Sequence, residues 1–446
     1  MKRILILGAG RSATSLIKYL LNINNTYGWE VVVADFDIQL AKSKVQGYDN
    51  AYALTFDIFN EKQRNEEISK ADIVISMLPA SLHIHAAEAC LEHSKNLLTA
   101  SYVSDEIKTL DNDAKAKGLI FLMECGLDPG IDHMSAMRVI NKIRKSGNKL
   151  TTFETFTGGL LAPESEEHNP WKYKFTWNPR NVVLAGQGTV KFIQEGRYKY
   201  IPYHRLFRRT EIVEIPEYGY FEGYANRDSL KYLEVYGLED IETLYRGTFR
   251  RPGYCRAWDL FVQLGATEDS YYLEGVDKMT HRQFINSFLS YNPHDSVELK
   301  LAHYLHLDID SEEMFKLRWL GVFEDELIGI EKGTPAQILE HILKKKWTID
   351  EHDKDMIVMW HKFEYLENGQ PKKIHSHSVV KGENAEDTAM AKTVGLPLGI
   401  AAELILKGEI KAKGVQIPII EEIYDPILNG LAEAGVTFIE QEISVE

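Results

Sequence analysis

The chain has 446 residues, of which 44% are hydrophobic and 26% charged, and its formal net charge at pH 7 is −15. This composition is typical of a globular protein with two or three domains, and the acidic excess argues against nucleic acid as the main partner. No apolar run approaches the about 20 residues of a membrane-spanning helix, and the first residues leave no room for a secretory signal. We therefore expect a cytoplasmic protein without a membrane partner, whose three widely spaced cysteines are reduced thiols.

The chain begins with an apolar strand, Ile4 to Leu7, that leads into Gly8-Ala-Gly10-Arg-Ser-Ala13 and a helical run, Ser12 to Leu21. This is the pattern of a dinucleotide-binding turn. The first glycine allows the bend, the second lets the backbone approach a pyrophosphate, and the small third residue lets the helix pack on the strand. The free N–H groups at the helix start favour phosphate. An ordinary strand–turn–helix shows the same short motif, so the motif alone leaves both interpretations open.

From this turn to residue 125, strand-like and helix-like segments alternate. Strands are predicted at 29–34, 52–56, 72–76, 96–99 and 119–123, and helices at 38–45, 61–69, 83–93 and 105–117. Strands separated by helices imply an α/β fold with a parallel, doubly wound, Rossmann-like sheet, in which ligands bind beyond the carboxyl ends of the strands. The residues at those ends, which we predict to bind the cofactor, are Gly8, Gly10, Arg11, Ser12, Ala13, Asp35, Asp57, Leu78, Pro79, Ser101, Tyr102, Leu127 and Asp128.

The choice of dinucleotide depends on Asp35, which ends the second predicted strand. A carboxylate at this position accepts hydrogen bonds from the hydroxyls of the adenosine ribose and repels a 2′-phosphate. The sequence therefore favours NAD. Arg11 keeps NADP open, because a guanidinium inside the turn can hold a phosphate. A solvated strand end or a helix cap is the alternative role of Asp35.

After about residue 126 the pattern changes. An α+β domain is predicted from residues 126–255 and 347–387, with strands at 151–157, 211–216, 356–365 and 373–380. The last two form a hairpin through Asn368-Gly369. Residues 256–346 are predicted to be a mostly α-helical insertion. A helix at about 388–408 with an interruption at Gly395 and Pro397 is predicted to return to the dinucleotide-binding domain, which otherwise comprises residues 1–125.

Longer motifs resemble those of the saccharopine reductase family, the glutamate-forming, nicotinamide-dependent saccharopine dehydrogenases. The most specific are Gly126-Leu-Asp-Pro-Gly-Ile-Asp-His133 and Asn169-Pro-Trp-Lys-Tyr-Lys-Phe-Thr-Trp177, and Arg246-Gly-Thr-Phe-Arg250 follows them in the family's order. The resemblance extends over nearly the whole chain. It implies an oxidoreductase of lysine metabolism that interconverts saccharopine with L-glutamate and 2-aminoadipate 6-semialdehyde. Hydride passes between the nicotinamide cofactor and a secondary amine or its Schiff base.

The resemblance also implies roles for individual residues. General acid/base work falls to Tyr102 and Asp128, although Asp before Pro-Gly is also ordinary turn chemistry. Arginine suits a substrate with three carboxylates, because a guanidinium binds a carboxylate through two parallel hydrogen bonds. A surface salt bridge is the alternative for any single arginine. The implied substrate-binding residues are Thr157, Lys174, Trp177, Asn226, Arg227, Arg246, Thr248 and Arg250. The family often has Cys where this chain has Thr157.

Two histidine pairs, His83 with His85 and His375 with His377, have no Cys or acidic partner at ligand spacing, so no metal site is predicted. The first pair is placed at the start of a surface helix. Two other functions stay open. One is a related imine or amino-acid reductase of the carboxynorspermidine synthase, homospermidine synthase or lysine 6-dehydrogenase type, and the other is a non-enzymatic nucleotide-binding protein. The arginine-rich blocks favour the substrate with several carboxylates. A homodimer is expected, because the antiparallel sheet of this scaffold often pairs across a two-fold axis.

Overall fold

The structure is a computed structural model that describes residues 1–444. Its first part alternates strands with helices, as predicted. The strands are β1 (Arg3–Leu7), β2 (Glu30–Asp35), β3 (Ala51–Thr55), β4 (Ile73–Ser76), β5 (Asn96–Thr99) and β6 (Ile120–Leu122). The helices are α1 (Thr14–Tyr27), α2 (Ile38–Val45), α3 (Glu61–Lys70), α4 (His83–Glu92), α5 (Asp105–Thr109), α6 (Asp111–Ala116) and α7 (Ile131–Lys145). The single helix predicted at 105–117 is therefore two short helices, and α7 was not predicted.

The middle of the chain combines strands with short helices. The strands are β7 (Lys149–Leu161), β8 (Thr189–Gln194), β9 (Arg197–Pro202), β10 (Thr210–Ile215), β11 (Gly219–Ala225) and β12 (Thr243–Arg250). The helices among them are α8 (Pro179–Val183), α9 (Tyr203–Leu206) and α10 (Tyr232–Tyr236). The region predicted as a helical insertion contains α11 (Tyr254–Leu264), α12 (His281–Asn286), α13 (Val297–Tyr304), α14 (Glu312–Trp319) and α15 (Pro335–Trp347).

The remaining elements begin with two long strands, β13 (Asp355–Glu367) and β14 (Gln370–Lys381). The turn between them has positive φ angles of 51° at Asn368 and 78° at Gly369, as the predicted hairpin requires. The elements after this hairpin are α16 (Ala389–Lys407), β15 (Gly414–Gln416), α17 (Glu421–Glu433) and β16 (Ile439–Ile443).

The chain folds as two compact units. The first comprises Met1–Leu150, Tyr365–Lys372 and Ser378–Glu446, and the second comprises Thr151–Glu364 and Lys373–His377. The first unit contains a parallel sheet with the strand order β15-β6-β5-β4-β1-β2-β3. The order β3-β2-β1-β4-β5-β6 within it is that of a doubly wound dinucleotide-binding sheet, and the direction of winding reverses between β1 and β4. The predicted fold class of this part is confirmed.

Helix α16 belongs to the first unit and packs on α1. Its glycines allow this close approach, since a Cβ at Gly395 would lie 2.6 Å from the backbone nitrogen of Leu16. The helix has 19 residues and a mean hydropathy of 1.5, so by length and composition it meets the usual criterion for a membrane span, contrary to the expectation from the sequence. However, 72% of its apolar window is buried inside the protein, which is the environment of a core helix.

The other sheet is mixed, with the order β10-β11-β12-β7-β13-β14-β16 and with β8 pairing with β12 and β9. Strand β12 runs parallel to β7 and antiparallel to β11. The helices α11 to α15 belong to the second unit. Two of them pack against Trp171, whose ring lies 5.2 Å from that of Trp347 in α15 and whose Nε1 donates to the carbonyl of Lys316 in α14. The α+β character of this region is as predicted.

His83 joins the ends of two strands in the first unit. The sequence placed it on a surface helix, but its side chain is only 1% exposed. The Nδ1 atom lies 2.8 Å from Ser76 Oγ, and Nε2 lies 2.8 Å from Ser101 Oγ and 3.1 Å from Thr99 Oγ1. Burial lowers the pKa of His83 to about 4. The imidazole is therefore neutral at working pH and serves as a hydrogen-bonding link between β4 and β5.

This burial predicts a loss of stability in mild acid. Between about pH 6.5 and pH 4, His83 binds a proton in the unfolded chain but not in the folded one, so the free energy of unfolding falls as the pH falls. Between pH 7 and pH 5 the loss from this one group is about 2 kcal/mol, at about 1.4 kcal/mol per pH unit below the unfolded pKa. In denaturant unfolding at pH 7 and pH 5, the free energy of unfolding of His83→Gln is expected to fall about 2 kcal/mol less than that of the wild type.

The matched control is His85→Gln, two residues along the same helix, where the imidazole is only half-buried. This variant should keep the pH dependence of the wild type. An equal loss in wild type and His83→Gln would show that His83 does not carry this dependence.

Candidate functional site

The glycine turn after β1 has the conformation that its sequence predicts. Gly8 has a φ of 105°, and a Cβ there would lie 3.1 Å from the carbonyl oxygen of Met77. Gly10 has an ordinary φ of −60°, and within residues 1–444 no atom other than those of Gly10 and its chain neighbours lies within 4 Å of the position of a Cβ there. A turn of 3₁₀ helix, Arg11–Ala13, leads into α1. Gly8 is thus required by the turn, whereas Gly10 leaves open space above the backbone, as the approach of a pyrophosphate requires.

Asp35 is tied to this turn. Its Oδ2 accepts a hydrogen bond from the backbone nitrogen of Ala9 at 2.7 Å, and its Oδ1 accepts from that of Asp37 at 2.9 Å. A carboxylate offers about four lone-pair positions, so further acceptor capacity remains for a ribose diol. The residues present therefore fit a dinucleotide, with the glycine turn for its phosphates and Asp35 for its ribose.

The other predicted cofactor residues lie at the same edge of the sheet. The carboxylate of Asp57 accepts a hydrogen bond from the backbone nitrogen of Phe59 at 2.9 Å and so stabilises a local turn. Ser101 is held by His83. The remaining residues range from exposed to buried. They are Arg11 and Pro79 (exposed), Ser12 and Leu78 (half-buried), and Ala13 and Leu127 (buried). Contact of these residues with a cofactor stays a prediction.

The two predicted acid/base residues meet in the first unit. Tyr102 follows β5 and Asp128 follows β6, and the hydroxyl of Tyr102 donates to Oδ1 of Asp128 at 3.3 Å. Both side chains are half-buried. A phenol beside a carboxylate forms a short path along which a proton can pass to or from a reacting nitrogen.

In the second unit, several predicted substrate residues share one face of the sheet. Arg246, Thr248 and Arg250 are spaced two apart along β12, so their side chains lie on the same side. Thr248 pairs with Thr157 on β7 and with Tyr224 on β11. The opposite face is aromatic, with the rings of Phe156 and Phe249 stacked 5.1 Å apart. The alternation separates a polar face from an apolar core.

Arg250 is the most enclosed cation on this polar face. It is 4% exposed, and its guanidinium carbon lies 4.8 Å, 5.3 Å and 5.9 Å from the ring centroids of Tyr173, Tyr254 and Tyr224. Its Nη1 donates to the carbonyl of Phe249, and its Nε has no hydrogen-bond partner within residues 1–444. Aromatic faces stabilise the charge and leave a donor available for an anion.

Among the neighbouring predicted residues, Arg246 is buried, whereas Asn226, Arg227 and Trp177 are more exposed. Arg246 is 7% exposed and lies 4.1 Å from the ring of Tyr232, and its backbone carbonyl accepts from the nitrogen of Asn226 at 2.9 Å. This bond brings Asn226 next to Arg246, with exposed Arg227 adjoining it. Trp177 is 38% exposed.

Lys174 has local partners for its charge. Its ammonium donates to Asp350 at 2.5 Å and to Asp353 at 2.7 Å. Burial opposes the charged form, but these two hydrogen bonds raise the pKa of Lys174 above its usual value. Two of its three donors are thus engaged, and a contact with substrate stays a prediction.

Three other arginines between residues 208 and 256 form salt bridges, as the alternative interpretation allows; Arg208 and Arg256 are exposed, whereas Arg251 is buried. Arg208 pairs with Asp259 at 2.7 Å, Arg251 with Glu166 at 2.6 Å and Arg256 with Glu313 at 3.2 Å. The tyrosines around Arg250 were not predicted as part of a site. Their only sequence signals were the position of Tyr173 inside the Asn169-to-Trp177 motif and the two-residue spacing of Tyr224 from Asn226.

The two glycines of the turn predict opposite effects of the same substitution. Gly8→Ala adds a methyl group at a positive φ beside Met77, so it should destabilise the protein by about 1–2 kcal/mol. Gly10→Ala places its methyl group in open space, so the melting temperature should stay within about 2 °C of the wild type while the coenzyme KM rises about tenfold or more. Thermal unfolding and steady-state kinetics measure the two effects, and each variant is the control for the other. A Gly10→Ala variant with an unchanged coenzyme KM would contradict the assignment of the phosphate-binding turn.

Comparisons with known proteins show which family the chain resembles. Residues 4–122 match the family model described as saccharopine dehydrogenase NADP binding domain, and residues 126–436 match saccharopine dehydrogenase C-terminal domain. The chain is 32% identical over 98% of its length to the mitochondrial alpha-aminoadipic semialdehyde synthase of Mus musculus, but it spans about half (47%) of that longer protein. It is 30% identical to the NADP(+), L-glutamate-forming saccharopine dehydrogenase of Schizosaccharomyces pombe, with 100% of both chains covered.

A solved structure is similar over the same extent. The apo histidine-tagged saccharopine dehydrogenase (L-Glu forming) from Saccharomyces cerevisiae superposes with a TM-score of 0.90 over 100% of both chains, at 27% sequence identity. The two family models together cover most of the chain. The chain belongs to the saccharopine dehydrogenase family.

Proposed function

We propose that this protein is the glutamate-forming type of saccharopine dehydrogenase. It interconverts saccharopine and water with L-glutamate and 2-aminoadipate 6-semialdehyde. In the oxidative direction, hydride leaves the carbon beside the secondary amine, the nitrogen loses its proton, and the resulting imine is hydrolysed. The nicotinamide coenzyme supplies or accepts the hydride. The observation that carries the proposal is the polar face of β12, where buried Arg246 and Arg250 lie with Thr248 in a chain of this family.

The arginines provide the chemistry that the substrate needs. Saccharopine has three carboxylates, and each must exchange water for a donor on the protein. Arg250 has a buried Nε–H that is not used within the described residues, and Arg246 lies four residues before it on the same strand. A buried guanidinium between tyrosine rings is preorganised, so little side-chain freedom is lost when a carboxylate binds. Thr157 and Thr248 add hydroxyl donors on the same face.

The first unit provides the coenzyme site and the proton path. We assign the exchange of a proton with the substrate nitrogen to Tyr102, whose hydroxyl donates to Asp128. Because the phenol donates to Asp128, that carboxylate can take the proton of the phenol while the phenol accepts the proton of the substrate nitrogen. Asp128 then holds the phenol in one orientation and takes up or returns the proton.

We also propose that NAD is the preferred coenzyme, although the relatives that the chain matches end to end are named for NADP(+). Two backbone N–H groups hold the carboxylate of Asp35, and Asp37 caps the following helix. A 2′-phosphate placed about 4 Å from such a carboxylate meets a repulsion of about 4 kcal/mol per unit of charge at an effective dielectric constant of about 20. Arg11 is exposed, so solvent weakens the attraction that it offers.

Saccharopine turnover and its dependence on Arg250 test the proposed reaction. The wild type should reduce coenzyme in the presence of saccharopine. Arg250→Met fills the tyrosine-lined space with an apolar side chain of similar length, so the fold should be kept. We expect kcat/KM for saccharopine to fall about 30-fold or more, because removing a buried carboxylate partner costs about 2 kcal/mol or more. The coenzyme KM should change little.

Arg208→Met is the control, because Arg208 pairs with Asp259 in the same unit and is exposed. It should retain wild-type kinetics. Turnover of lysine or of a polyamine with an aldehyde, and none of saccharopine, would contradict the proposal and favour a related reductase. No turnover with any of these substrates would favour a nucleotide-binding protein without catalysis.

The coenzyme preference is tested by kcat/KM values for NAD and NADP with saccharopine. NAD should give the higher value, and Asp35→Ala should shift the ratio at least about tenfold toward NADP by removing the repulsion. The control is Asp72→Ala, because Asp72 also accepts a backbone hydrogen bond, from Arg3, but at the opposite edge of the sheet. A wild-type preference for NADP that Asp35→Ala leaves unchanged would refute the role given to Asp35.

A further inference from the structure

Glu124 has a backbone conformation that its residue type disfavours. It follows β6 with a φ of 53°, in the left-handed region, and the residue is 7% exposed. A residue with a Cβ adopts this conformation at a cost of about 1 kcal/mol or more, which persists where the surrounding contacts determine it. Outliers of this kind concentrate at functional sites. The contacts of Glu124 therefore indicate what the conformation achieves.

Glu124 holds both neighbours of Tyr102. Its backbone nitrogen donates to the carbonyl of Ser101 at 3.0 Å, and its Oε1 accepts from the backbone nitrogen of Val103 at 3.0 Å. Beyond the last paired residues of β5 and β6, the side chain of Glu124 thus accepts a backbone hydrogen bond of the kind that a neighbouring strand would accept. Tyr102 lies between these two bonds, so Glu124 holds the backbone on both sides of it.

The second carboxylate oxygen reaches the segment that carries Asp128. Glu124 Oε2 lies 2.9 Å from Nε2 of His133, which is fully buried near the start of α7. The neighbouring Asp132 accepts from the backbone nitrogen of Gly130 at 2.7 Å, and its own nitrogen donates to Leu127 at 3.1 Å. These bonds close the turn around Asp128. One buried carboxylate therefore joins the two segments whose side chains form the bond between Tyr102 and Asp128.

We propose that Glu124 is a positioning residue that sets the distance between Tyr102 and Asp128. Its consequence for turnover rests on the proposed function, in which these two groups move the proton. Two of its properties can be separated by substitution. Glu124→Gly permits the positive φ but removes both side-chain bonds. Glu124→Gln keeps an acceptor for the backbone nitrogen of Val103 and an amide group that faces Nε2 of His133, but removes the charge.

Steady-state kinetics should separate these variants. Glu124→Gly is expected to lower kcat about 10- to 100-fold, because a displacement of about 1 Å can cost about 100-fold, while KM values for saccharopine and coenzyme change less than about threefold. Glu124→Gln should restore kcat to within about threefold of the wild type. Ser94→Gly is the matched control, because exposed Ser94 has nearly the same φ, 55°, in the same unit. It should leave kcat unchanged.

A double-mutant cycle distinguishes positioning from general stability. Tyr102→Phe should lower kcat strongly in the wild type but little in Glu124→Gly, because the phenol is already misplaced there. Independent effects of the two substitutions, or a kcat of Glu124→Gly within twofold of the wild type, would overturn the proposal.

A crystal structure of Glu124→Gly provides a test that needs no turnover. We expect the 3.3 Å contact between Tyr102 Oη and Asp128 Oδ1 to be lost. A retained contact would overturn the inference about Glu124 even if the protein oxidises saccharopine. A wild type that does not turn over saccharopine, but whose Glu124→Gly variant loses the contact, would refute the proposed function alone.

Discussion

The common edge at which the parallel strands of the first unit end is the constraint on which its candidate site depends. Residues as far apart along the chain as Gly8 and Asp128 meet there because β1, β2, β4, β5 and β6 lie side by side with their carboxyl ends aligned. Hydrogen bonds beyond the strands extend the alignment into the loops, from Gly8 to Ala34 at 2.7 Å and from Ala9 to the carboxylate of Asp35. The apolar strands hold this edge in place, since Ile4, Leu5, Ile6 and Leu7 are all 0% exposed. The loops can therefore contain unusual backbone conformations, such as that of Glu124, because the tightly packed sheet keeps the ends of these loops fixed.

In the second unit, the two-residue period of a strand places the candidate substrate residues on one face of the sheet. On β12, the sequence Arg246-Gly-Thr-Phe-Arg250 alternates polar side chains with Gly247 and Phe249. Gly247 has a structural reason, since a Cβ there would lie 2.1 Å from the ring of Phe156 on the neighbouring strand. The aromatic face packs densely only because this position lacks a side chain, and that packing keeps the arginines on the other face. The stability of the core and the orientation of the candidate substrate residues thus depend on the same register, and a shift of one residue would exchange the two faces.

Features that depend on local pattern could mostly be predicted from the sequence. The Rossmann-like strands, the glycine turn and the return of α16 are of this kind, because each depends on periodicity or on a short motif. Pairings between distant segments could not be predicted. Lys174 carries no local sign that Asp350 and Asp353 neutralise it, and nothing near Arg250 in sequence reveals that Tyr173 lies over its guanidinium. The contacts of Glu124 could not be predicted either, because its side chain binds Val103 and His133 only in the folded chain, and its positive φ depends on these contacts. Helix α7 was missed since it begins directly after the Gly126-to-Gly130 turn, whose glycines and proline masked the start of a helix.

A chain with a net charge of −15 that is proposed to bind a substrate with three carboxylates presents an apparent conflict, which the distribution of charge resolves. Charges on the surface are screened over about 8 Å at physiological ionic strength, and many surface acids are already paired, such as Glu66 with Lys70 and Glu421 with Lys145. Arg246 and Arg250 are buried, so solvent screens them little, and their attraction for an anion is correspondingly larger. The rings that lie over their guanidinium groups are those of tyrosines, which stabilise a cation without neutralising it. A carboxylate that enters such surroundings experiences these two cations rather than the average charge of the protein, so net charge predicts solubility here and not the sign of the ligand.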